Sequence, residues 1–122
     1  GRAGCIETFL SGPGLSATYA AIAGRRADAE EIAALAETGD FRGNVALALY
    51  ESQLARALAS IINVLDPDII VLGGGISNIS RLYSRVPPLL KPFVFSDSAD
   101  TPIVAARHGD SSGVRGAAWL WP

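Results

Sequence analysis

The feature that most constrains this chain is the segment from Asp66 to Asn78, where a proline, an apolar run and three glycines follow one another. Ile69–Leu72 is an unbroken run of β-branched residues and leucine, which is typical of a parallel strand covered by helices on both faces. Gly73, Gly74 and Gly75 follow directly and remove every Cβ from the turn, so a ligand can approach closely. Because ligands of open α/β sheets bind beyond the carboxyl ends of strands, the segment predicts a binding site at this turn.

Size and composition predict one domain with a hydrophobic core. The chain has 122 residues, of which 49% are hydrophobic, and a formal net charge of −2, so it lacks the basic field that nucleic-acid binding needs. Its single cysteine, Cys5, excludes an internal disulfide. No stretch resembles the roughly 18 apolar residues of a membrane span, and we therefore expect a cytoplasmic protein without a membrane or nucleic-acid partner. The absence of Met and the initial glycine predict a processed chain or a piece of a longer one.

The first part of the chain, residues 1–65, is predicted to be mainly helical. A short helix is expected after a capping-box pattern of Asp28 and Glu31, and a longer one between Asp40 and Asp66. In the longer helix, apolar residues recur at three- and four-residue spacing and polar residues occupy the other side. The expected core face holds Leu47, Tyr50, Leu54, Leu58, Ile61, Ile62 and Leu65, and the polar face holds Arg42, Asn44, Glu51, Arg56 and Ser60. An earlier helix, Leu15–Ile22, is expected to follow an interruption at Ser11–Gly14.

The second part, residues 66–122, is predicted to alternate strand, helix, strand and helix. Such a βαβα unit has a right-handed crossover, and two strands alone make a poor sheet. Pro87 and Pro88 predict that the first of these helices kinks or ends near Val86. The remaining expected features are a helix cap at Ser77 or Asn78, a strand at Pro102–Ala106 and a closely packed apolar helix at Val114–Leu120 that contains Gly116, Ala117 and Ala118.

Taken alone, the possible site residues leave alternatives open. The triple glycine fits a plain tight turn as well as a ligand site, and it matches neither a dinucleotide fingerprint nor a Walker loop. A lone Cys5 is most often a small buried residue. Glu7 could cap a helix, lie on the surface or accept hydrogen bonds from sugar hydroxyls. His108 and Asp110 are more typical of a turn that caps the last helix than of an acid–base pair.

The combination of these motifs is more specific than any one of them. Together they resemble the C-terminal part of a bacterial ROK-family sugar kinase, in the fructokinase and N-acetylglucosamine kinase branch. The matching segments are Gly4-Cys5-Ile6-Glu7-Thr8, Ser11-Gly12, Asp66 to Gly75, His108-Gly109-Asp110 and Gly113 to Leu120.

The resemblance implies a fold, a reaction and site residues. The fold would be α/β: the C-terminal part of an RNase H-like domain of the actin and hexokinase type, helix-rich with a βαβα unit. Cys5 would be the last of four ligands to a structural zinc ion, Glu7 would bind the sugar, and Gly73, Gly74 and Gly75 would line the adenosine side of ATP. The activity would be Mg²⁺-assisted phosphoryl transfer from ATP to a sugar hydroxyl, in a homodimer. The catalytic aspartate of the family has no counterpart in this chain.

Two other interpretations remain. A sugar-responsive transcriptional repressor of the same family keeps the cysteine motif and adds an N-terminal helix-turn-helix, although the segment Gly113 to Leu120 favours the kinase branch. The chain could also be a purely structural half-domain without a ligand of its own.

Overall fold

The structure, a computed structural model, describes residues 4–96, 100–109 and 112–120. Helices come first and a strand–helix–strand–helix unit follows, so the predicted helix-rich α/β fold is confirmed. The elements are a 3₁₀ helix (Ile6–Thr8), α1 (Gly12–Ala23), α2 (Ala29–Glu37), α3 (Phe41–Leu65), β1 (Ile70–Leu72), a 3₁₀ helix (Gly75–Asn78), α4 (Leu82–Leu90), a 3₁₀ helix (Lys91–Phe93), β2 (Ile103–Ala105) and α5 (Ser112–Ala118).

Side-chain caps fix where the first helices begin. The Asp28 carboxylate accepts the N–H of Glu31 at 2.8 Å, and the Asp40 carboxylate accepts the N–H of Gly43 at 2.7 Å. These bonds satisfy backbone donors that have no partner in the first turn, and they confirm the predicted starts of α2 and α3.

The predicted interruption before the first helix is shorter than expected, because α1 begins at Gly12 and not at Leu15. Ser11 caps α1 by accepting the N–H of Gly14 at 3.1 Å, and Gly12 and Pro13 form the first turn. Proline is well tolerated there, because the N–H it lacks would have no partner within the helix.

Helix α3 supplies the largest part of the core, as predicted. The prediction of which side chains it buries and which it exposes is partly wrong. Leu47, Leu54 and Leu58 are buried. Leu65, expected in the core, is 70% exposed, and Ile61 is also exposed. Glu51, expected on the polar surface, is only 3% exposed.

A side-chain network explains why Glu51 is buried. Its carboxylate accepts two hydrogen bonds from Arg81, at 2.5 Å from Nε and at 3.3 Å from Nη2. Arg81 also donates from Nη1 to Oδ1 of Asn44 at 2.9 Å. The Asn44 amide in turn donates to the carbonyls of Ala36 and Asp40, both at 3.0 Å. The network therefore connects the start of α4 to α3 and to the end of α2.

The two strands pair in parallel, with Ile70 opposite Ile103 and Leu72 opposite Ala105. The expectation of a strand covered on both faces is wrong for the described residues, because Val71 is 56% exposed. Ile70 and Leu72 pack against the core on the other face. The described helices therefore cover one face of β1 and leave the second face open.

The start and end of α4 also differ from prediction. Neither Ser77 nor Asn78 caps it: they lie in the 3₁₀ helix after β1, and α4 begins at Leu82 without a side-chain cap. The helix does not end near Val86 but continues through both prolines to Leu90. Leu82, Val86 and Leu90 form one fully buried row at four-residue spacing, and this packing offsets the backbone bonds that the prolines remove.

The expectation that no segment resembles a membrane span does not hold for helix α3. This helix is long and apolar enough to cross a membrane by length and composition, with a mean hydropathy of 1.3. Half of the relevant window is buried inside the fold, and a core helix passes the same test. This observation is therefore weak evidence for a membrane span.

The buried ion pair generates a stability prediction. Arg81→Met leaves the Glu51 carboxylate buried without a partner, so we expect the free energy of unfolding to fall by about 3–5 kcal/mol. Urea unfolding of the wild type and the variant measures this loss.

Two controls separate burial from charge. The double variant Glu51→Leu with Arg81→Met should recover most of the loss, because an apolar pair can replace a buried ion pair. Arg25→Met removes an ion pair to Glu31 at 2.7 Å whose side chains are about half exposed, and it should barely change the unfolding midpoint. Equal losses for Arg81→Met and Arg25→Met would contradict the prediction.

Candidate functional site

A cavity of about 520 Å³ lies between the two parts of the chain. The predicted sugar-binding residue Glu7 and the predicted nucleotide residues Gly73, Gly74 and Gly75 all line it. The structure therefore brings together, at one site, motifs that lie far apart in the sequence. Other lining residues are Leu10, Ser11, Gly12, Pro13, Ala29, Tyr50, Leu54, Leu72, Ile76 and Ser77.

The backbone at Glu7 is fixed by local hydrogen bonds. The N–H and hydroxyl of Thr8 both donate to the carbonyl of Cys5, at 3.0 and 2.8 Å. The Ser11 hydroxyl donates to the carbonyl of Glu7 at 2.8 Å while it caps α1. These bonds attach the 3₁₀ turn to the start of α1, and the exposed Glu7 side chain belongs to the rim of the cavity.

The three glycines of the turn are not equivalent. Only Gly74 has a left-handed backbone, with φ of 76°, and there glycine is needed for conformation. A Cβ added at Gly73, Gly74 or Gly75 would meet no atom within 4 Å. By contrast, a Cβ at Gly14 would fall 2.7 Å from the Phe9 backbone, so Gly14 is required by packing. The described fold gives no packing reason for glycine at 73 or 75, where open cavity space adjoins the backbone.

Tyr50 is a cavity residue that the sequence analysis placed only in the core. It comes from the middle of α3 and is 3% exposed. Burial raises the pKa of its phenol to about 12, so the hydroxyl stays protonated at neutral pH. In the sequence, Tyr50 is the one phenol within a stripe of aliphatic residues. The helical pattern does not distinguish a ring packed in the core from a ring that lines a cavity.

A second, larger cavity of about 1160 Å³ adjoins the first. The two share Gly12, Pro13, Ala29 and Gly75, so the first turn of α1 and the glycine turn separate them. The rest of its lining comes mainly from α2 and the loop before it, and includes Arg26, Asp28, Glu30, Glu31 and Glu37.

Among the described residues, Cys5 belongs to no cluster of metal-ligating side chains. Its thiol is exposed and free, and no group of three or more His, Cys, Asp or Glu side chains within the described ranges could hold a metal ion. One thiolate is far short of the four ligands of a structural zinc site. The described residues therefore do not fit a complete zinc site, and Cys5 as a zinc ligand stays a prediction.

The His108 turn lies apart from the Glu7 cavity. Gly109 has φ of 80° and donates to the carbonyl of Ala106 at 3.2 Å, as in an ordinary turn. His108 is exposed beside Arg115 and Trp119 in a small cavity of about 260 Å³. Asp110 falls outside the described residues. The described residues do not pack closely on α5, since Gly116, Ala117 and Ala118 are exposed, so the expected close packing of this helix stays a prediction.

Comparison with known proteins identifies the family. The family model described as "ROK family" matches residues 1–122. The N-acetyl-D-glucosamine kinase of Photobacterium profundum is 41% identical over 117 residues, which are 96% of this chain and 39% of that protein. The N-acetyl-D-glucosamine kinase of Salmonella typhi is 38% identical over 120 residues, covering 98% of this chain and 40% of that protein. The chain belongs to the ROK family and spans about two fifths of the length of these relatives.

Solved structures agree on the fold. A ROK family glucokinase from Streptomyces griseus, in complex with glucose and AMPPNP, superposes with a TM-score of 0.82 at 21% identity, over 98% of this chain and 45% of that chain. A ROK hexokinase from Thermus thermophilus gives a TM-score of 0.79 at 27% identity, over 97% of this chain and 40% of that chain. The fold is therefore that of ROK sugar kinases, which confirms the predicted actin and hexokinase type.

The surroundings of Cys5 generate a metal-binding prediction. The purified 122-residue chain should carry much less than one zinc ion per molecule after dialysis against a chelator, because a single thiolate completed by water is a weak site. Elemental analysis of the dialysed protein checks this, with Cys5→Ser as the matched control. Stoichiometric zinc in the wild type and none in Cys5→Ser would contradict the prediction, since it requires further ligands around Cys5.

Proposed function

We propose that this chain is part of an ATP-dependent hexose kinase, in which it supplies a sugar contact and one side of the nucleotide site. The observation that carries the proposal is the shared cavity, with Glu7 and the three glycines on its walls. The ROK family match and the kinase names of the relatives support it. The nucleotide is proposed to lie against Gly73, Gly74 and Gly75, with the sugar at Glu7.

Each part of the cavity has its own chemical role in this proposal. The ionised Glu7 carboxylate has two oxygens that can accept hydrogen bonds from neighbouring sugar hydroxyls, which orients the sugar without reacting with it. Backbone without Cβ atoms lets the nucleotide lie close to the turn. Mg²⁺, when bound with ATP, neutralises the charge that develops during phosphoryl transfer. We assign no catalytic base to this chain, so the chain alone is expected to be inactive.

The identity of the sugar is a separate, more specific part of the proposal. The sequence resemblance favours a fructokinase-like enzyme, whereas relatives at 38–41% identity are named N-acetyl-D-glucosamine kinase. The proposed substrate is one of fructose, glucose, mannose and N-acetylglucosamine, and the names of these relatives favour N-acetylglucosamine. A coupled assay of ADP release with each of these sugars, on the full-length protein, distinguishes them. A repressor of the same family would show no sugar-dependent turnover.

Several features of the whole protein belong to the same proposal. We expect a cytoplasmic enzyme that acts as a homodimer. A structural zinc ion would use Cys5 together with ligands from outside this chain.

Glu7→Gln tests the sugar contact. The substitution keeps the shape but removes the charge and one acceptor, and hydrogen bonds to charged groups contribute about 1.5–3 kcal/mol. In the full-length protein we expect kcat/KM for the sugar to fall roughly tenfold to a hundredfold. Steady-state kinetics at saturating ATP measures the fall.

The Glu7 test has a matched control in Glu37→Gln, an exposed acid of α2 outside the smaller cavity, which should leave sugar kinetics unchanged. ATP binding and melting temperature should barely move in either variant. A Glu7→Gln protein with normal sugar kinetics and a lower melting temperature would make Glu7 a structural acid.

Gly75→Val tests the nucleotide contact. Gly75 has no left-handed backbone and its Cβ would enter open space, so the fold should tolerate the side chain while bound ATP should not. We expect the KM for ATP to rise about tenfold, equivalent to about 1.4 kcal/mol, with the sugar KM nearly unchanged. Kinetics with each substrate varied in turn measures both values.

Variants at two other glycines serve as comparisons for Gly75→Val. Gly113→Val places the same side chain in open space on α5, away from the cavity, and should leave both KM values unchanged. Gly74→Val should also lower the melting temperature, because its left-handed backbone is strained by a side chain. Equal damage to ATP and sugar kinetics by Gly75→Val would favour a purely structural turn.

A further inference from the structure

We propose that the Tyr50 hydroxyl binds the nucleotide, by donating a hydrogen bond to an acceptor atom of ATP in the cavity beside Gly73, Gly74 and Gly75. Tyr50 would then be a binding residue on α3, a helix that otherwise serves as the centre of the core. This inference rests on the proposed kinase function and assigns it a further residue.

Tyr50 is both a core residue and a cavity residue. Its side chain is buried among core residues and yet lines the 520 Å³ cavity, together with Leu54 of the same helix and Leu72 at the end of β1. Leu72 is followed directly by the glycine turn. Tyr50 therefore lies on the wall of the cavity that the turn also lines.

The Tyr50 hydroxyl has no hydrogen-bond partner among the described residues. Buried hydroxyls of tyrosine normally have one. No fully buried side-chain oxygen or nitrogen in the described part of the chain lacks a partner, so this hydroxyl must reach open space, and Tyr50 lines the cavity. By contrast, the Tyr83 hydroxyl donates to the carbonyl of Ser77 at 2.6 Å.

The chemistry of the cavity wall indicates which ligand the Tyr50 hydroxyl can bind. The other two hydroxyls on the cavity wall already use their donors. Ser11 donates to the Glu7 carbonyl, and Ser77 donates to the Gly74 carbonyl at 2.7 Å. Tyr50 therefore remains as the hydroxyl of the described wall whose O–H is free to donate, whereas the Glu7 carboxylate only accepts. A carboxylate suits the hydroxyls of a sugar, whereas a protonated phenol suits the phosphate, ribose and ring acceptors of ATP.

The apolar part of the wall agrees with this assignment. Leu54, Leu72 and Ile76 line the same cavity as the Tyr50 side chain and the glycine backbone. Ligand sites commonly combine such apolar walls with a few placed polar groups. The flat, largely apolar face of a nucleoside matches this surface better than a sugar ring that carries hydroxyls on most of its carbons.

Tyr50→Phe in the full-length protein is the test. It removes one oxygen atom and keeps the ring, so we expect the KM and the calorimetric Kd for Mg·ATP to rise about threefold to tenfold. The sugar KM should not change. The melting temperature should stay the same or rise, because the lost hydroxyl has no partner in the described fold. Tyr19→Phe is the matched control, since Tyr19 is equally buried but does not line this cavity, and it should leave both substrates unaffected.

The outcomes separate this inference from the function on which it rests. Wild-type protein that binds Mg·ATP, with Tyr50→Phe binding it equally well, overturns the role of Tyr50 alone. A loss confined to sugar affinity overturns the assignment to the nucleotide. A lower melting temperature with unchanged kinetics shows a purely structural tyrosine and also overturns it. Wild-type protein that binds no ATP overturns the proposed function together with this inference.

Discussion

The ion pair between Glu51 and Arg81 ties the two parts of the chain together. Arg81 stands at the start of α4, directly after the segment that carries the glycine turn, and Glu51 lies in the middle of α3. Asn44 extends the network to the carbonyl of Ala36 at the end of α2. The position of the turn against the helical part therefore depends on a contact with fixed geometry as well as on apolar packing.

The cavity exists because of this junction. One part of the chain contributes Glu7 and Ser11, the other contributes the glycine turn, and Tyr50 projects from α3 between them. A bidentate arginine–carboxylate pair specifies orientation, which interchangeable apolar contacts do not. Buried ion pairs are poor sources of net stability, whereas this pair fixes the start of α4 against α3.

The features of the fold that depend on neighbouring residues could be predicted from the sequence. Asp28 and Asp40 were recognised as helix caps because the partner N–H lies three residues away in each case. Prediction failed where burial depends on distant residues. Glu51 was assigned to the surface because its partner is thirty positions further on, and nothing in the helical pattern points to that arginine.

The other failures have a similar origin. Pro87 and Pro88 predicted a helix end on local grounds, but the buried row that includes Leu82 and Leu90 keeps α4 continuous. The glycine turn was located correctly, yet its three residues could not be told apart. Only the backbone angle of Gly74 and the open space beside Gly73 and Gly75 separate conformation from ligand access.

The distribution of free polar groups in the cavity limits what this chain can do. The hydroxyls of both wall serines donate to backbone carbonyls, which leaves the Tyr50 phenol as the hydroxyl of the described wall with a free donor. In the proposed function, a carboxylate on the rim and a phenol that remains protonated at neutral pH orient the substrates. Val71 also lies exposed on the face of β1 that the described helices leave open. In the proposed kinase, the described residues supply binding contacts, and the proton transfer is assigned to residues outside them.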